Sequence, residues 1–132
     1  MLILILILKL SFHPSYAQQS LTPFTSTATI TNHPAKIVTV NASITGNKIL
    51  LSWVVTDNRT ADLFEVEKST DGKNFSMAAL VFGTEKDETG NYQFFEKSVT
   101  GQLISYRIKL VNKNKDAEYS TTVQVNKQQP VQ

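Results

Sequence analysis

From residue 37 to residue 125 apolar side chains return at every second position. A period of two rather than 3.6 restricts the body of the chain to strands. Residues 37–45 place Val38, Val40, Ala42 and Ile44 on one face, and Gly46-Asn47 supplies a turn. Residues 48–55 then carry Ile49, Leu51, Trp53 and Val55 inward. A polar loop spans 57–62. In the strand over 63–69, Phe64 and Val66 point in while Glu65 and Glu67 point out. Asp71-Gly72 is a tight-turn signal before a strand over 75–82. Within that strand, Met77 to Leu80 has helical propensity, but its flanks are strand-like.

A charged loop over 83–90 precedes a strand over 91–97 with Tyr92 and Phe94 inward. The strand over 103–111 alternates Tyr106, Ile108 and Leu110 with Ser105, Arg107 and Lys109. A turn at 112–116 leads to a last strand over 117–125, with Tyr119, Thr121, Val123 and Val125 on one side. Seven short strands punctuated by such turns predict an all-β, antiparallel sandwich in a single domain over 37–126. Trp53, Phe64, Val66, Tyr92, Tyr106 and Ile108 are its expected core.

The ends read differently. Leu2 to Leu8 is an unbroken Leu/Ile run, and Ser15-Tyr16-Ala17 offers small residues at the −3 and −1 positions of a cleavage site. Residues 1–17 are therefore read as a signal peptide of an exported chain, in the periplasm, at the cell surface or secreted. The apolar run falls short of the roughly 20 residues that span a bilayer, so no stable membrane span is expected after cleavage. Residues 18–36, rich in Ser and Thr, form a polar linker or frayed leader, and residues 127–132 a flexible tail.

Composition narrows the chemistry. The chain has no cysteine, which excludes disulfides, thiolate metal sites and a cysteine nucleophile. Its formal charge of +2 falls to about +1 once Lys9 leaves with the signal peptide, too little for a nucleic-acid face. The one histidine beyond the signal peptide, His33, sits beside Pro34 in the leader, a poor platform for a general base. Glu65 and Glu67 share a strand face about 6.5–7 Å apart, between the spacings of retaining and inverting glycosidases. They read as an exposed charged face. The oxygens of Asp57, Asn58 and Asp62, or of Glu85, Asp87 and Glu88, match no calcium-loop spacing. No cofactor and no catalytic residue are expected. Phe75, Phe82 and Phe95 are the outward aromatics, with Phe95 the best exposed candidate, and Leu50 and Val54 lie on the same outward side of their strand.

Residues 48–53, Lys-Ile-Leu-Leu-Ser-Trp, resemble the second strand of fibronectin type III domains, which belong to the immunoglobulin-like sandwiches. Residues 103–110, Leu-Ile-Ser-Tyr-Arg-Ile-Lys-Leu, resemble their sixth. The resemblance implies that the Tyr106 hydroxyl bonds upstream backbone. Residues 63–75, Leu-Phe-Glu-Val-Glu-Lys-Ser-Thr-Asp-Gly-Lys-Asn-Phe, with Tyr119-Ser120, are similar to a module in secreted and surface proteins of bacteria with type IX secretion. That module usually precedes a sorting domain, and the residues after Val125 are too few to form one.

The expected function is a non-catalytic interaction or spacer module, with protein binding or adhesion at the cell envelope and an unidentified protein partner. The alternative is a carbohydrate-binding sandwich that takes a polysaccharide. Phe95, Phe75, Asp57 and Glu85 are the candidate binding surface, and the loops over 57–62, 83–90 and 112–116 or an exposed strand edge are the candidate contacts.

Overall fold

The computed structural model describes residues 33–86, 88–98 and 100–126. The expected signal peptide, the leader up to residue 32 and the tail lie outside the described residues. Eight strands follow one another: β1 Lys36–Thr45, β2 Lys48–Thr56, β3 Ala61–Ser69, β4 Ser76–Phe82, β5 Thr89–Lys97, β6 Leu103–Asn112, β7 Ala117–Tyr119 and β8 Val123–Asn126. Every pairing is antiparallel. One sheet has the order β1-β2-β5; the other runs β4-β3-β6 and closes with β7 and β8 end to end along β6. Gly46, at φ 59, supplies the left-handed residue that turns β1 into β2 across two residues.

Alternation places the inward rows of both sheets against each other. From the first sheet come Ile49, Leu51, Trp53, Val55 and Tyr92; from the second come Phe64, Val66, Tyr106, Ile108 and Leu110, and all are buried. At the centre the Trp53 ring stacks on Tyr92 (centroids 5.7 Å apart) and meets Phe64 edge-on at 5.7 Å. Phe64 and Tyr92 approach to 4.4 Å. Such contacts add about 0.5–1.5 kcal/mol each beyond burial. The indole Nε1 has no hydrogen-bond partner among the described residues. Its cost of about 1–3 kcal/mol is offset by the buried ring.

Four local expectations are corrected. A bulge between Ile37 and Thr39 turns Ile37 toward the core and leaves Val38 57% exposed. The last strand is two, because Ser120 interrupts it: its N–H donates to the Ile108 carbonyl and its hydroxyl accepts the Ile108 N–H. Tyr119 therefore lies exposed over Arg107 instead of inside, and Thr121 is exposed as well. Thr89 and Gly90 belong to β5 and Ala61 and Asp62 to β3, so both neighbouring loops are shorter than the polar composition suggested. Finally, the Tyr106 hydroxyl does not reach backbone. It donates to the Glu96 carboxylate, which also accepts the Lys68 ammonium at 2.8 Å, and this ties β3, β5 and β6 across the two sheets.

The β3–β4 connection is organised by one carboxylate. Asp71 accepts the backbone N–H of Asn74 at 2.8 Å and of Lys73 at 2.9 Å, the Ser69 hydroxyl at 2.7 Å and the Asn74 side-chain amide at 2.7 Å. These bonds, the Asn74 N–H foremost, hold its carboxyl well below the usual carboxylate range. Tyr106 shifts the other way: burial first, then the Glu96 carboxylate, push its phenol well above the ordinary value.

Trp53→Ala should cost about 3–5 kcal/mol in urea unfolding, and an unchanged midpoint would contradict its central place. The two titrations carry opposite signs. The folded Asp71 value lies below an unfolded value of about 3.9, so its contribution is present above about pH 4 and lost as pH falls further. Its carboxyl carbon resonance should still report an ionised group near pH 3; an ordinary midpoint near 4 would remove the turn its anchor. Tyr106 contributes fully below about pH 10 and loses that contribution as pH rises toward its folded value.

Candidate functional site

Three surfaces gather the residues singled out in the sequence. The first is one pole of the sandwich. There a 3₁₀ turn at Asn58–Thr60, residues 83–86 and 88, the turn after β6 and the residues around His33 meet. Asp57 enters this turn at φ 50 and is exposed. Its carbonyl accepts the Thr60 N–H at 3.1 Å. Asn58, by contrast, is fully buried. Its Oδ1 accepts the Tyr92 hydroxyl, its Nδ2 donates to Thr84 Oγ1 at 3.1 Å, and its N–H donates to the Glu88 carbonyl at 3.0 Å. The Tyr92 oxygen in turn accepts the Thr84 N–H at 3.1 Å. One side chain thus latches two loops onto the aromatic core.

Gly90 makes room for the latch. A Cβ there would stand 2.5 Å from Asn58 Oδ1 and 2.6 Å from the Tyr92 ring. A glycine in mid-strand marks such a close approach, and it was read from sequence as an ordinary loop residue.

Three acidic groups of the pole are matched by cations. Glu85, at φ 60, pairs with Lys113 at 3.1 Å, Asp62 with Lys115 at 2.7 Å, and Glu88 with Arg59 at 3.9 Å. Exposed pairs of this kind are worth about 0–1 kcal/mol each. Among the described residues no three His, Cys, Asp or Glu side chains are grouped to hold a metal ion. Asp87 lies outside the described residues. A cleft of about 350 Å³ beside the turn is lined by Pro34, Arg59, Thr60, Asn112, Lys113 and Asn114. Asn112 Oδ1 in its wall accepts the Ala35 N–H at 3.0 Å, and the Thr60 hydroxyl lies 3.0 Å from the His33 carbonyl. Asp57 and Glu85 therefore share this pole, but the polar wall between them is committed to holding loops together.

The second surface is the outer face of the larger sheet. Glu65 and Glu67 point away from the core but do not form the exposed charged face expected: Glu67 is buried and Glu65 half-buried, and each has its own cross-strand cation, Lys109 reaching Glu65 at 3.1 Å and Arg107 reaching Glu67 at 2.6 Å. The Glu65 hydrogen bond holds the Lys109 ammonium above its ordinary value. Each carboxylate is thus engaged in a cross-strand ion pair. The Arg107 guanidinium sits between two rings, 4.1 Å from Phe75 and 4.2 Å from Tyr119. Phe75 is half-buried by this stack, so it is not a bare platform. Sequence alternation finds Arg107 and Phe75 facing outward but places Tyr119 inside, because Ser120 resets the phase of the last strand.

The same sheet ends at β4, whose far side has no strand neighbour among the described residues. β4 reads Ser-Met-Ala-Ala-Leu-Val-Phe and contains no charge. Met77 is 62%, Leu80 44% and Phe82 68% exposed. Sequence reading placed Phe82 outward but left Met77 and Leu80 unassigned, because nothing local shows which strand becomes a sheet edge.

The third surface is the outer face of β1, β2 and β5. Phe95 stands there 52% exposed, paired across to Leu50. It lines a cleft of about 390 Å³ with Asn47, Lys48, Glu96 and Lys97. Of the candidate residues, Phe95 and Phe75 are therefore on different sheets, and the structure does not bring them together.

The chain matches no protein-family model and no curated protein. Its class rests on its own geometry: an all-β protein of two antiparallel sheets packed face to face. Among the described residues no helix is long and apolar enough to cross a membrane.

Gly90→Ala should lower stability by about 1–3 kcal/mol in urea unfolding, because the added methyl must displace Asn58 or the Tyr92 ring. Unchanged stability would mean that the latch yields without cost.

Proposed function

We propose that the chain is a non-catalytic interaction domain of the fibronectin type III kind that works at the bacterial envelope by holding a partner protein at the β4 edge. The strand order β1-β2-β5 facing β4-β3-β6 supports the domain type, and the Leu/Ile run at Leu2 to Leu8 followed by Ser15-Tyr16-Ala17 supports export. The similarity of residues 63–75 to modules of type IX secretion bacteria points the same way.

One observation carries the reading. Edge strands are ordinarily guarded by charge, proline or a covering segment. β4 has a bulge beside Glu67, but no charge or proline within it, and three large apolar side chains stand exposed along it. An extended segment of a partner can add to such an edge as a further strand. Backbone bonds then supply affinity, and Met77, Leu80 and Phe82 supply selectivity. The latched pole offers less, since its polar groups are already engaged.

Leu80→Lys with Phe82→Lys should weaken saturable retention on outer-membrane fragments by at least about tenfold, the effect of removing roughly 1.4 kcal/mol of contact. The melting temperature should hold, because both side chains already face solvent. Protease treatment of the fragments should abolish retention. Retention that survives both changes would contradict protein docking at β4.

A further inference from the structure

Lys48 and Lys97 stand directly opposite each other in the β2–β5 register. Cβ atoms at such positions lie about 4.5–5.5 Å apart, and like charges there destabilise a sheet. Neither lysine makes an ion pair among the described residues, whereas Lys68, Arg107 and Lys109 each have a carboxylate. Relief was available in sequence space, since a single Glu at either position would give an attractive pair. A local rule broken without a compensating contact is characteristic of a functional site.

The surroundings of the pair specify an anion and more. The outward residues of β1, β2 and β5 include no acid. Glu96 borders the cleft, but its two oxygens already hold the Tyr106 hydroxyl and the Lys68 ammonium. Phe95 lies next to the pair on the same face and opens into the cleft of about 390 Å³. Farther along the strands comes the cross-strand row Asn41, Ser52 and Gln93, one repeat of about 6.8 Å beyond the row that holds Phe95. Two cations, an exposed ring and then neutral amide and hydroxyl groups form a strip of mixed chemistry.

We infer that this face binds an acidic saccharide chain. A uronate carboxylate sits between the Lys48 and Lys97 ammonium groups, the pyranose C–H face lies on Phe95, and the next sugar's hydroxyls bond Asn41, Ser52 and Gln93. A phosphodiester strand also uses cations and stacking, but it would find only two cations here and a neutral row where its next phosphate falls. The site lies on the three-stranded sheet and owes nothing to β4, so it and the docking edge fail separately.

The full chain is titrated calorimetrically with hexamers of galacturonate, glucuronate and mannuronate, with the methyl ester of each, and with a single-stranded hexadeoxynucleotide. At least one uronate should saturate. Its affinity should fall by about tenfold or more on esterification, in Phe95→Ala and in Lys48→Gln, each removing a contact on the scale of 1.4 kcal/mol. Lys97→Glu should abolish binding while raising the melting temperature, because it turns a repulsive pair into an attractive one. Lys73→Gln, on the β3–β4 connection, should leave affinity unchanged. Saturation by none of the uronates, equal affinity for ester and acid, equal binding of the nucleotide, or undiminished binding in Phe95→Ala would each overturn the assignment.

Discussion

The fold turns on the contacts of Tyr92 with two aromatic neighbours and one polar one. The ring closes the gap between Trp53 on one sheet and Phe64 on the other. The hydroxyl, at the far end of the same side chain, gives its proton to Asn58 and accepts the Thr84 N–H. Asn58 is buried only because it is needed there, and its remaining polar groups are met by Thr84 and the Glu88 carbonyl. Hydrophobic packing and loop geometry are therefore one problem, solved by one tyrosine. Gly90 is the concession the strand makes to it.

That coupling redistributes where function can sit. Loops at a sandwich pole are often free to recognise ligands because nothing below depends on their shape. Here the pole is bonded inward, and Glu85, Glu88 and Asp62 are each paired with a cation. The surfaces that remain uncommitted are those the core does not constrain: the edge of β4 and the outward face of β1, β2 and β5. At the other end Asp71 holds its own turn, and Lys68, Glu96 and Tyr106 tie the two sheets together.

Much of the architecture was legible because a period of two is a strong signal wherever one face is buried. The rows of β2 follow it throughout, and Trp53, Phe64 and Tyr106 are buried where alternation places them, although Glu67 and Ser69 in β3 and Ser105 in β6 are buried on the other face as well. The signal failed where the backbone adds a residue. The bulge at Ile37–Thr39 exposes Val38, and the break at Ser120 carries Tyr119 out to Arg107. Neither leaves a mark in composition. The outward carboxylates were visible, but not their partners, since cross-strand register is a long-range property. Phe95 was legible as a break in alternation. The meaning of Lys48 and Lys97 was not, because residues 49 apart in sequence become neighbours only once β2 and β5 pair.

The claim that the pole belongs to the core is tested most directly by native-state amide hydrogen exchange at Asn58 and Thr84, whose N–H groups donate to the Glu88 carbonyl and the Tyr92 hydroxyl. Both amides should exchange as slowly as those of the central strand β2, through the same global opening, and Thr84 should lose its protection in Tyr92→Phe. Exchange at the rate of an unstructured loop under native conditions would contradict the coupling and return the pole to the surfaces free to bind.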